Sequence, residues 1–254
     1  MRKLLVFLIF SFGFGQIYPV RISDKACLSA DKALDPVNQR AEFSNGVNWE
    51  IEIVDSVLGT PYDFQFNSLS LDTGEIPHVV YNKSDSCKIV YASRIGGGWQ
   101  KEVVESGLFY YYYGLSLIFD ASNISHLSYY RKDDTLDKTY TCYARRDSTG
   151  WLCEVVDSSN GYLGNYFLNF NSSIDLDTSG LPGIAYISWN VSDSLHYIKY
   201  AHYNGTYWDT SIVARDTTWH HRYPLDYSPS LKFDREGTPH IAFYRFRSDT
   251  HTDT

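Results

Sequence analysis

His78, His126 and His240 each follow an aspartate by six residues (Asp72, Asp120 and Asp234), and a serine stands four residues before each aspartate: Ser68, Ser116 and Ser230. Serine, histidine and carboxylate are the parts of a nucleophilic hydrolase, in which the imidazole takes the hydroxyl proton and the acid orients the imidazole. A nucleophile is needed once, whereas this set recurs; a further copy, Ser173 with Asp177, has Gly183 where the histidine would stand. Recurrence in register is what a hydrogen-bond network tying strands to turns produces. These residues are therefore expected to be framework, and no catalytic group is assigned.

Metal chemistry finds little support. The Asp-x-x-Gly steps lack the Asp-x-Asp-x-Asp-Gly spacing that gathers the roughly six oxygens Ca²⁺ requires, and the aspartate is expected to cap its own turn. Three histidines carried on separate repeats are expected to lie too far apart for one ion, so no metal or cofactor is expected. Cys142 and Cys153 flank the turn Arg145–Gly150. Antiparallel pairing across it is expected to set them opposite one another, within bridging distance. The pairing of Cys27 and Cys87 is left open.

The aromatic clusters do not recur in register. Phe109 leads into Tyr110, Tyr111, Tyr112 and Tyr113; Tyr162 precedes Asn165, Tyr166 and Phe167; and Trp219, His220, His221, Arg222 and Tyr223 form a third group. These are expected as loops on one face of the molecule, where rings supply apolar area and polar edges supply orientation for a glycan or protein ligand. The unrepeated charged residues Asp63, Arg222 and Asp226 do not make the paired carboxylates of a glycosidase.

The elements that carry these residues repeat. Trp49-Glu50-Ile51-Glu52-Ile53-Val54-Asp55-Ser56 returns from Trp99, from Trp151 and, loosely, from Trp208, at spacings of 50, 52 and 57 residues. Each repeat holds four strand signals. The first alternates as in Ser68-Leu69-Ser70-Leu71-Asp72, and an Asp-led turn with Gly or Asn at the position needing positive φ comes next. A second strand opens with Pro77, Pro182 or Pro239; a third carries Tyr-Ala; the fourth begins at the tryptophan. Four short antiparallel strands in about 50 residues, repeated in tandem, predict an all-β fold, a β-propeller of four-stranded blades. A string of independent β-modules is the competing arrangement, but a unit of that size has too little core to stand alone.

The pattern Ser-Leu-x-Leu-Asp-x-x-Gly-x-Pro-His-Ile-Ala-Tyr, followed by Tyr-Ala, Gly and Trp, resembles the repeats of bacterial secreted β-propellers of the broad sialidase-like, Asp-box-like group, over roughly residues 49–246. The resemblance implies blades arranged around a channel. A true Asp box sets Gly two residues after Asp; here Gly is usually three after and Pro-His follows, so sialidase chemistry is not carried over.

Residues 1–15 read as a secretory signal, with basic Arg2-Lys3, the apolar run Leu4–Phe10 and small residues before Gln16. Residues 16–48 form a lead-in that matches the repeat poorly, and residues 49–254 are the repeats. The last unit stops after its second strand. The Trp49 strand could complete that blade as its fourth strand, leaving one strand missing, which favours part of a longer array over a four-bladed ring. The net charge of −8, without a basic cluster, excludes nucleic acid and anionic membrane surfaces as expected partners, and no transmembrane segment is expected. The expected protein is a secreted, periplasmic or cell-surface, non-catalytic binding module for a glycan or protein. A glycan-active hydrolase and a structural repeat region of a larger surface protein are the alternatives, and the oligomeric state is left open.

Overall fold

The computed structural model describes residues 4–11, 49–57, 66–83, 86–107, 110–160, 171–190, 195–216 and 228–243. The chain divides into two compact units, Met1–Phe64 and Gln65–Thr254. In the first, β1 (Leu4–Ser11) pairs in parallel with β2 (Trp49–Val57). Among the described residues of the second lie three four-stranded antiparallel sheets and one two-stranded sheet. Sheet 1 is β3 (Asn67–Leu71), β4 (Pro77–Lys83), β5 (Lys88–Ile95) and β6 (Gly98–Ser106). Sheet 2 is β7 (Tyr110–Phe119), β8 (Ser125–Asp133), β9 (Lys138–Asp147) and β10 (Gly150–Asn160). Sheet 3 is β11 (Ser173–Leu176), β12 (Pro182–Asn190), β13 (Leu195–Tyr203) and β14 (Trp208–Asp216), and sheet 4 is β15 (Ser230–Phe233) with β16 (Pro239–Ala242). No helix among the described residues is long and apolar enough to cross a membrane.

The turn after each first strand is built the same way four times. Oδ1 of Asp72, Asp120, Asp177 and Asp234 accepts from the backbone N–H groups two and four residues on. The third residue after the aspartate takes positive φ: Asn123 at 62°, Gly180 at 77°, Gly237 at 80° and, in sheet 1, Glu75 at 60°. Gly74, the glycine of the first repeat, is thus not the residue in the left-handed region.

Successive sheets are joined through their first strands. Ser68 Oγ accepts from Leu117 N–H at 3.0 Å, Ser116 Oγ from Ile174 N–H at 3.3 Å, and Ser173 Oγ from Leu231 N–H at 2.9 Å. Each serine therefore satisfies the outward N–H of the residue one past its own counterpart in the next sheet, and β3, β7, β11 and β15 lie side by side with their ends aligned. Between the sheets run two apolar clusters. One is built on Val80, Ile89, Leu117, Leu127 and Tyr129; the other on Tyr113, Tyr130, Ile184, Tyr186 and Ile187. Neither face could be buried by one sheet alone, which is why the repeat must stack.

Two expectations are corrected. Tyr110–Tyr113 are not a loop but the first residues of β7, which is ten residues long; Tyr112 and Tyr113 are 4 % and 3 % exposed in the core, since consecutive aromatics suit a half-buried strand as well as a loop tip. Within the first unit the Trp49 strand pairs with the apolar run of the leader. Cys142 and Cys153 are free thiols. The tight turn at Ser148-Thr149 pairs Gly150 with Asp147, and this register sets Cys142 opposite Val155 and Cys153 opposite Ala144. The two cysteines are thus diagonal neighbours instead of partners. Cys27 lies outside the described residues.

Candidate functional site

At the end of the sheets that carries the Asp turns, the second carboxylate oxygen meets a histidine. Asp72 Oδ2 lies 3.4 Å from His78 Nε2, Asp120 Oδ2 3.6 Å from His126 Nε2, and Asp234 Oδ2 2.9 Å from His240 Nε2. His78 Nδ1 and His126 Nδ1 are each 2.6 Å from a tyrosine hydroxyl, those of Tyr91 and Tyr143. Burial holds both imidazoles below their ordinary pKa in spite of the neighbouring carboxylate. In sheet 3, where Gly183 replaces the histidine, His202 of β13 reaches Asp177 Oδ2 at 3.0 Å. Gly183 and His202 are cross-strand partners, so the imidazole comes from the adjacent strand. Every Asp–His pair is thus a strand-to-turn tie, and Ser68, Ser116 and Ser173 point instead to the next sheet's backbone.

The fourth strands carry a second repeated device, visible in the sequence as Trp-x-x-Glu followed three residues later by Glu or Asp. The Trp151 indole N–H donates to Glu102 Oε1 at 2.9 Å and that of Trp208 to Glu154 Oε1 at 3.0 Å. Each tryptophan also meets the tyrosine of the preceding sheet edge-on, with Tyr91–Trp151 and Tyr143–Trp208 centroids both 5.2 Å apart. Glu105 Oε2 accepts from the Tyr129 hydroxyl at 2.6 Å and Asp157 Oδ2 from that of Tyr186 at 2.7 Å; Arg131 and Lys199 complete the two pairs. Residues three apart on a regular strand face opposite ways. A β-bulge at Val104, Val156 and Val213, each skipped in the pairing register, turns the second acid to the same face as the first.

The opposite end of the sheets is where the repeats diverge. There Tyr111, at the start of β7, is 51 % exposed. It pairs across the sheet with Lys132, whose ammonium lies 6.0 Å from the Tyr111 ring centroid and forms an ion pair with Asp134. Arg131 lies over Tyr140 at 5.0 Å. In sheet 3 the equivalent of Lys132 is Trp189, tilted against His196 at 4.5 Å, with Arg215 over Tyr197 at 5.8 Å. Aromatic rings beside cations and carboxylates are therefore gathered at one end, whereas the other is occupied by the repeated turns.

Of the residues expected to bind, Tyr111 is exposed at this end, Tyr112 and Tyr113 are core, and Tyr110 begins the strand; Tyr166, Trp219, His220, His221 and Tyr223 lie outside the described residues. Lys132, Asp134 and Trp189 were not singled out by sequence reasoning. Their signal was the departure from repeat: Lys132 and Trp189 occupy the same register, six residues past His126 and Gly183. Among the described residues no group of three or more His, Cys, Asp or Glu side chains is arranged to hold a metal.

No protein-family model matches the chain, and no curated protein matches it. Among solved structures it is similar to a fucose lectin from Kordia zhangzhouensis in complex with methyl-fucoside, at 15 % identity over 57 % of this chain and 96 % of the lectin, with a TM-score of 0.38. It is also similar to the endo-arabinase from Bacteroides thetaiotaomicron VPI-5482, at 14 % identity over 76 % of each chain and a TM-score of 0.44. A bifunctional GH43-CE protein of Bacteroides eggerthii matches at 12 % identity over 67 % of this chain and 23 % of its own, with a TM-score of 0.39.

Proposed function

We propose that the chain is an exported β-propeller whose sheets are consecutive blades, and that it acts as a non-catalytic binding module for a glycan or protein outside the cytoplasm. On this reading the leader is removed near Gln16, and β1 goes with it. The carrying observation is Tyr111, a large aromatic exposed at the end of the sheets where the repeats diverge, beside Lys132 and Asp134. An exposed ring with a polar rim is what a sugar or peptide surface recognises. Binding is favoured over hydrolysis by the use made of the half-buried and buried acids: Glu105, Asp157 and Asp175 each accept two hydrogen bonds from a neighbouring sheet.

The test is a glycan array with the processed protein, repeated for Tyr111→Ala and Trp219→Ala. The reading expects loss of a bound glycan in at least one variant. Turnover of any glycoside would overturn the non-catalytic assignment, and binding unaffected by either change would overturn the aromatic face.

A further inference from the structure

One row of side chains runs across sheet 2 at its divergent end. Tyr111 of β7 pairs with Lys132 of β8, Lys132 with Thr139 of β9, and Thr139 with Ser159 of β10. Directly paired residues of an antiparallel sheet project to the same face. The row descends from an exposed ring to a buried floor: Tyr111 is 51 % exposed, Lys132 7 %, Thr139 2 % and Ser159 8 %. Ser159 Oγ is satisfied by the Thr139 carbonyl at 3.4 Å. The Thr139 hydroxyl has no hydrogen-bond partner among the described residues. A buried hydroxyl left unpaired costs about 1–3 kcal/mol, and such groups in native proteins mark a missing partner.

We propose that this row is a ligand subsite for one neutral pyranose ring bearing vicinal hydroxyls. The apolar face of the ring stacks on Tyr111. The Lys132–Asp134 pair sets a donor and an acceptor side by side, and adjacent hydroxyls of a sugar match that arrangement, one accepting from the ammonium and the other donating to the carboxylate. Asp134 Oδ2 takes no partner among the described residues, and its side chain is 39 % exposed. Thr139 Oγ1 is closed off from solvent, so a third sugar hydroxyl reaches it through one buried water. Neutral ligands are selected over acidic ones because the ion pair carries no net charge and the chain as a whole is at −8. The repeat does not explain the row: in sheet 3 the register of Lys132 is held by Trp189.

This assignment rests on the glycan reading of the same end of the molecule, and the experiment separates the two. Processed protein is titrated with a panel of neutral methyl pyranosides and with the corresponding methyl uronates, alone and as Tyr111→Ala, Tyr111→Phe, Asp134→Asn and Thr139→Val. The expected result is binding of neutral glycosides that falls by about tenfold or more in Tyr111→Ala and Asp134→Asn, roughly 1.4 kcal/mol, and is kept in Tyr111→Phe. Thr139→Val is expected to weaken binding severalfold while its melting temperature holds or rises, since the isosteric change removes an unpaired hydroxyl; a purely structural residue would lose both together. Unchanged affinity in Tyr111→Ala and Asp134→Asn would overturn the subsite and leave the glycan reading standing, and unchanged affinity in Thr139→Val would overturn the floor. Preference for uronates would overturn the neutral-ring assignment, and no binding of any pyranoside would overturn both readings.

Discussion

His202 stands directly across the strand pair from Gly183 and holds Asp177 in the place that a second-strand histidine fills in the other three sheets. The two departures belong together. A Cβ at Gly183 would lie 2.8 Å from Cζ of Phe233 in the next sheet and 3.1 Å from Cε2 of Tyr200, so the second strand cannot carry a side chain there, and the imidazole is supplied from β13. Gly183→Ala is therefore expected to destabilise the protein by about 1–3 kcal/mol, as overpacking does, read as a lowered midpoint in urea unfolding. A neutral result would mean that Phe233 moves aside freely.

The serine joints predict a graded series. Ser116→Ala strands the Ile174 N–H between sheets 2 and 3 and is expected to cost about 1 kcal/mol or somewhat more. Ser230 occupies the same register in sheet 4, is exposed, and accepts no hydrogen bond among the described residues. Ser230→Ala is expected to fall within about 0.5 kcal/mol of the parent. Equal losses in the two variants would show that Ser230 has a partner after all.

The turn of sheet 1 is built against its own sequence. Glu75 sits at φ 60° where the later repeats place Asn123, Gly180 and Gly237, and a side chain in the left-handed region costs roughly 1–2 kcal/mol. Glu75→Gly is expected to recover about 0.5–1 kcal/mol once the greater unfolded-state freedom of glycine is deducted. The readout is a melting temperature that rises in Glu75→Gly and stays flat in Glu75→Gln.

Local features were legible in the sequence, and those depending on pairing between distant strands were not. The Asp-capped turns, the alternating first strands and the proline-led second strands are set by neighbours within about six residues, so type and spacing sufficed. Sheet 3's His202, 25 residues from Asp177, could not be matched to it without knowing that β12 and β13 pair at Gly183. The diagonal offset of Cys142 and Cys153 followed from one tight turn whose length the residues Arg145–Gly150 do not dictate. The acids Glu102 and Glu105 were written plainly in the repeat, yet their common orientation needs the bulge at Val104, and no period-2 reading of a strand contains one. At the candidate site the order was reversed: subtraction of the repeat pointed to Tyr111, but the ring's neighbours Lys132 and Thr139 emerged only from strand register.

The repeat varies both partners of its acid–tyrosine contact together. Tyr129 with Glu105 and Tyr186 with Asp157 join sheets 1 to 2 and 2 to 3, while the corresponding residues of sheets 3 and 4 are Ala214 and Phe243. Burial raises the Tyr129 and Tyr186 hydroxyls above the ordinary phenol range, so both remain donors. Tyr129→Phe and Glu105→Gln are each expected to destabilise by about 1–3 kcal/mol, and the double variant by less than the sum. Additive losses in that cycle would show that the hydroxyl and the carboxylate are not coupled.

Acid should unfold the protein in two stages, and the signs follow from which state takes the proton. Burial lowers the folded-state pKa of His78 and His126, so the unfolded chain, at about 6.5, binds protons first. Their contribution is complete above that value and declines as the pH falls below it. The carboxylates act at lower pH. Burial tends to raise Asp72 and Asp177, but the turn N–H groups and the facing histidines outweigh it and hold both below the usual carboxylate range; Asp234 is lowered chiefly by His240. Stability from a depressed carboxylate is present above the unfolded value of about 3.9 and is lost as the pH drops through the folded one. The melting temperature is thus expected to decline from about pH 6.5 to 5 and again below about pH 4. A His78→Asn, His126→Asn double variant should flatten the first decline and keep the second. If both slopes survive in that variant, the buried imidazoles do not carry the first stage, and other titrating groups must.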